Sequence, residues 1–145
     1  MKELEKVANS FREDFNCAQS IFGSYCTKYG LEIDTALRIA TGFGGGMGRS
    51  QRTCGAITGS YMVLGLKYGM GLKGDKNARD DTYHYINEFS TRFKKEFGSL
   101  ICKELLGCDI NTPEGKEYYE RNNFFENKCF QYVKKAAEIL NDILD

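Results

Sequence analysis

Apolar side chains recur at three- and four-residue intervals along most of this chain, and that spacing constrains its fold more than any other feature. Ile86, Phe89, Phe93 and Phe97 fall on one helical face. Cys129, Val133, Ala136, Leu140 and Leu144 fall on another. The period-two alternation of a half-buried strand is scarce. Pro113 is the single proline, so little interrupts helix formation. Pattern and cap residues predict helices over about 2–13, 17–29, 33–41, 54–69, 76–97, 100–106, 113–121 and 128–144. The stretch "NTPEG" reads as a helix start, with Thr112 as cap and Pro113 in the first turn. Asn127 is the expected cap of the last helix. Segment 54–69 is mostly apolar and is expected to be the most buried, with Gly59 and Gly65 admitting a close neighbour. "YGMGLKGD" reads as a turn between two long helices. With 145 residues and no repeat or linker, residues 1–145 are expected to form an all-α, single-domain helical bundle.

The charge balance narrows the function. Twenty basic and twenty acidic residues give a formal net charge of zero. That argues against a chain built to grip nucleic acid or an anionic membrane. No apolar run approaches a membrane span, so no membrane insertion is expected. The stretch "MKELEKVANSFREDFN" carries charges on a helical period and lacks the apolar centre of a signal peptide. A cytoplasmic location follows as the expectation. Apolar helix faces left over from a bundle of this size would suit a two-fold homodimer.

In a reducing compartment the six cysteines, Cys17, Cys26, Cys54, Cys102, Cys108 and Cys129, are not expected to form structural disulfides. No C-x-x-C pair occurs, so any shared site must be assembled by the fold. Cys17 follows Asn16, Cys54 follows Thr53, Cys102 lies three residues after Ser99, and Cys129 lies two after Asn127. Each of the four is thus expected in the first turn of a helix, where positive partial charge and unpaired N–H groups lower a thiol pKa. Thiolates ligate metals and attack disulfides. Cys26, among Phe22 and Tyr25, reads as a buried, inert thiol. Cys108 is a secondary candidate. His84 is the single histidine and reads as a helix-surface residue, so a mixed Cys–His zinc site has one candidate imidazole.

The stretch "GFGGGMGRSQRTCGAITG", residues 42–59, invites a comparison with phosphate loops. It lacks the lysine of a Walker loop, its G-x-G-x-x-G frames end on Met47 and Arg49, and no strand precedes it. It reads better as the surroundings of a thiol. Gly44, Gly45, Gly46 and Gly55 offer open backbone near Cys54, and Arg49 and Arg52 are expected to add positive charge there.

The segments "NCAQS" (16–20), "GFGGGMG" (42–48), "CGAITG" (54–59), "CKELLG" (102–107), "PEG" (113–115) and "KCFQYVKKAAEIL" (128–140) occur in the order seen in the C_GCAxxG_C_C family of redox-active proteins, which the chain resembles over nearly its whole length. Phe130 stands where that pattern leads one to expect proline. The resemblance implies that Cys17, Cys54, Cys102 and Cys129 are the signature cysteines. A related domain in multihaem cytochromes with an iron–sulfur centre makes a cluster an expected cofactor; covalent haem is not implied, since C-x-x-C-H is absent. The functional expectation is redox chemistry with an unidentified electron donor or acceptor. The four cysteines either ligate an iron–sulfur cluster or cycle between dithiol and disulfide. The alternative is a non-catalytic zinc site, with Cys108 as an additional ligand, or a small-ligand binding protein.

Overall fold

A computed structural model describes residues 2–145. Among them no β-strand forms; helices follow one another as α1 Lys2–Arg12, α2 Cys17–Tyr25, α3 Ile33–Ala40, α4 Gly55–Tyr68, α5 Lys76–Phe97, α6 Cys102–Leu106, α7 Pro113–Arg121 and α8 Phe130–Leu144. This is the all-α architecture that the periodicity predicts. The predicted 17–29 divides into α2 and a 3-10 turn, Cys26–Tyr29, closed by Gly30 at φ 85°.

Local chemistry starts and stops these helices. Asn16 and Gln19 form a reciprocal capping box on α2: each side-chain oxygen accepts from the other's main-chain N–H, at 2.9 and 3.0 Å. Asp75 caps α5 and Thr112 caps α7, each accepting an amide at 3.0 Å. Gly98 and Gly107 end α5 and α6 in the left-handed region.

Helix α4 forms the middle of the bundle, with Ala56, Ile57, Ser60, Val63 and Leu64 buried. It packs on α2 along one side and on α5 and α8 along others, while α1 and α3 flank α2. Phe89 and Phe93 of α5 and Val133, Ala136 and Leu140 of α8 complete the core. A side chain at Gly59 would stand 2.9 Å from the Ala18 carbonyl, so this glycine lets α2 and α4 meet closely. Gly65 has no neighbour within 4 Å and does not share that task.

The start of the last helical segment departs from expectation. Asn127 does not cap it. The chain turns at Asn123, φ 49°, and enters a π-helical turn, Phe125–Cys129, that runs directly into α8. Asn127 lies inside that turn, its amide bonded to the Asn123 carbonyl at 2.9 Å. Cys129 is therefore a full turn into helical structure rather than at its beginning. The wider π turn inserts a residue and re-aims the side chains that follow it.

Candidate thiol site

The backbone between α3 and α4 is unusual. Gly45, Gly46, Met47, Gly48 and Arg49 all have positive φ, and Gln51 follows at φ 56°. Glycines make such a left-handed turn affordable, because each non-glycine residue there costs about 1–2 kcal/mol. The turn closes on itself through Gln51 N–H to Gly45 O and Arg52 N–H to Gly46 O, both 3.0 Å.

From this turn the chain runs antiparallel to residues 100–103. Cys54 N–H donates to Leu100 O at 2.9 Å, Cys102 N–H to Arg52 O at 2.6 Å, and Lys103 N–H to Gln51 O at 3.1 Å, around an isolated bridge between Thr53 and Ile101. This short ladder brings Cys54 and Cys102 together. Cys17 arrives by helix packing: a side chain at Gly55 would lie 3.1 Å from the Cys17 Cβ and 3.0 Å from the Ala18 nitrogen. Cys129 arrives from the π turn. All four line one cavity of about 670 Å³, with Gly45, Gly46, Gly55 and Arg49 in its wall.

Other expected members stand aside. Gly44 packs on the Asn16 side chain, which a Cβ would meet at under 3 Å. Arg52 does not line the cavity and contributes its carbonyl to the ladder. Near Cys54 the amides of Ala56 and Ile57 favour the anion, against the stronger effect of burial. Cys108 lies beside the cavity, half-buried, within electrostatic reach of Cys102, Cys129 and Lys128. Cys26 is buried in the core, and His84 is exposed on α5 with its ring edge-on to Tyr85.

The helix-start argument holds in geometry for Cys17 and Cys102, the first residues of α2 and α6. Cys54 is itself the cap residue of α4, and Ile101 rather than Ser99 precedes α6 as its cap. The Ser99 hydroxyl accepts from Ile101 N–H at 3.0 Å instead. The electrostatic consequence is overturned. Burial pushes the Cys54 thiol up to about 12, and burial together with the negative charge of Cys129 pushes Cys102 up to about 11. Cys17 is raised well above its ordinary value, first by its hydrogen bond to Cys129 and then by burial. Desolvation in a cavity where Cys54 is 5% and Cys102 9% exposed outweighs one helix terminus. Cys129 alone is lowered, chiefly because Cys17 hydrogen-bonds its sulfur, with Tyr119 adding a second hydrogen bond. Of the four, Cys129 is the thiol whose anion the surroundings favour.

Three side chains of the site carry no signal in the sequence. Tyr119 Oη lies 3.5 Å from Cys129 Sγ. Tyr132 lines the cavity and donates to Leu105 O at 2.6 Å. Gln51, 3% exposed, donates to Cys108 O and accepts from Ile110 N–H, both 2.9 Å, and its side chain favours the Cys102 anion. Each is a polar residue whose partner lies on a distant segment.

The all-α bundle thus lines one cavity with four cysteines from four separate segments. The sequence profile of the family described as "Putative redox-active protein (C_GCAxxG_C_C)" matches residues 15–143, and the chain belongs to that family. It is also similar to an uncharacterized protein of Archaeoglobus fulgidus, with 26% identity over 152 aligned positions that cover 96% of this chain and 93% of the relative. No solved structure matches it significantly. Among the described residues no helix is long and apolar enough to cross a membrane. No three His, Cys, Asp or Glu side chains among them stand close enough together to hold one metal ion.

Proposed function

We propose that this chain is an electron-transfer protein that holds an iron–sulfur cluster on Cys17, Cys54, Cys102 and Cys129. The observation that carries the reading is the convergence of these four sulfurs on one cavity of about 670 Å³. A dithiol needs two cysteines; a cluster is held by four. The hydrogen bond with Cys129 and then burial keep Cys17 protonated, and burial foremost keeps Cys54 and Cys102 so; coordination relieves this penalty, because a metal-bound thiol is deprotonated. When bound, such a cluster supplies one-electron chemistry. The chain's own part is to exclude water and to set groups that favour the anion beside the sulfurs: the Tyr119 hydroxyl at Cys129, Gln51 near Cys102, and the Ala56 and Ile57 amides near Cys54. The donor or acceptor is a partner in a reducing, cytoplasmic setting.

Anaerobic purification and reconstitution test this directly. The expected result is a brown protein with stoichiometric iron and sulfide, lost from Cys54→Ala and Cys102→Ala. A colourless, iron-free protein after reconstitution overturns it.

One observation favours a second reading. Cys17 and Cys129 line the same cavity and shift each other's titration in opposite directions, a pairing suited to a dithiol in which Cys129 attacks and Cys17 resolves. Oxidation would join the two sulfurs and pass two electrons and two protons to an acceptor disulfide, which leaves as two thiols. Titration of the metal-free protein after mild oxidation would then register two fewer thiols; an unchanged count argues against it.

A further inference from the structure

Helix α7 covers the cavity yet is weakly attached to what lies beneath. Of Pro113–Arg121, only Gly115 is buried and Tyr119 half-buried; the rest is exposed. A nine-residue helix of this composition, PEGKEYYER, has little stability alone. Its internal bonds are local: Thr112 caps Gly115, and Arg121 pairs with Glu117 at 3.9 Å. Lys116, Tyr119 and Glu120 nevertheless line the cavity. The flanking segments are firmly held. On one side Ile110 N–H is bonded to Gln51 at 2.9 Å and Asn111 Nδ2 to Arg49 O at 2.7 Å. On the other, Asn123 turns the chain at φ 49° and Phe124 is buried. Between these anchors, among the described residues, one side-chain hydrogen bond ties α7 to another element: Tyr119 Oη to Cys129 Sγ, 3.5 Å. Tyr118 and Tyr119 add edge-on contacts to Phe124, with ring centroids 5.4 and 6.1 Å away.

We propose that α7 is the lid of the thiol cavity and that Tyr119 is its latch, a positioning residue that ties closure to the state of the Cys129 sulfur. A thiolate or metal-bound sulfur accepts the phenol hydrogen bond well; a sulfur engaged in a disulfide accepts it poorly. Access to the buried Cys54 and Cys102 therefore depends on what Cys129 is doing. The inference rests on the four cysteines forming the functional site, and it does not require that they bind iron.

Hydrogen exchange tests it. In metal-free protein, Tyr119→Phe keeps the packing on Phe124 and removes the latch. The amides of residues 113–121 should exchange roughly 5-fold faster or more, the effect of losing one hydrogen bond. Amides of α4 and α8 should keep their rates. Native-state alkylation of Cys54, followed by peptide mass spectrometry, should accelerate in parallel. Cys129→Ala should reproduce the effect, and Cys129→Ser, which retains an acceptor, should restore slow exchange. Unchanged exchange of α7 in both Tyr119→Phe and Cys129→Ala overturns the proposal, as does an increase that extends equally into α4 and α8. Iron content, measured separately after reconstitution, reports on the cluster reading alone.

Discussion

Gly46 shows how narrowly single residues set this site. Its φ is 68°, and a Cβ there would stand 2.6 Å from the Arg52 nitrogen, 2.7 Å from the Gln51 Cα and 2.8 Å from the Cys102 Cβ. None of these is the free end of a flexible side chain. Gly46→Ala should therefore lower stability by about 1–3 kcal/mol from overpacking and by about 1 kcal/mol more from left-handed backbone. Urea denaturation measures the sum; on the proposed cluster reading, displacement of Cys102 should also weaken iron retention after reconstitution. The thiols themselves teach a related lesson. A cap position or first turn favours a thiolate, but only while water reaches the sulfur; Cys54 and Cys102 lie where burial reverses the sign. The residue types and their order are legible in the sequence, whereas the solvent exposure that decides their protonation is not.

At the level of elements, the helix ends carry most of the positional information. Asn16→Ala removes the α2 capping box directly before Cys17 and should cost about 1 kcal/mol in a thermal or urea melt. It also removes the Asn16 Nδ2 bond to Thr41 O, 2.9 Å, which ties α2 to the segment leading into the glycine turn. Gly59→Ala tests the α2–α4 contact. With the Ala18 carbonyl 2.9 Å from the new Cβ, the helices must separate, and a loss of about 1–3 kcal/mol is expected by urea denaturation. The same change at Gly65, which has open space, should be neutral or slightly stabilising, because alanine favours helix. Helix extents followed the periodicity closely for α4, α5 and α7. The start of α8 did not: a π turn already carries the chain into the helix, and Asn127 has the chemistry of a cap without the backbone of one.

For the whole molecule, the buried thiols couple stability to pH. Cys54 and Cys102 have folded pKa values of about 12 and about 11 against an ordinary value of 9.0. The folded chain thus binds more protons than the unfolded chain in this window, so stability is full below about pH 9 and falls as pH rises toward 12. Cys129 has the opposite sign: its contribution is lost as pH falls through its lowered pKa, while its partner Cys17, raised, loses its contribution as pH rises. The urea midpoint of metal-free protein should drop between about pH 8 and pH 10.5, and drop less in Cys54→Ala. The sequence by itself determined the all-α fold, the helix order and the four cysteines, because spacing, caps and glycines act within a few residues. Only the tertiary structure decided that Cys17 meets Cys129, that a three-bond ladder joins Cys54 to Cys102, and that Gln51, Tyr119 and Tyr132 belong to the site. Those contacts join residues far apart in the chain, and burial among them, rather than any local motif, sets the charge on each sulfur.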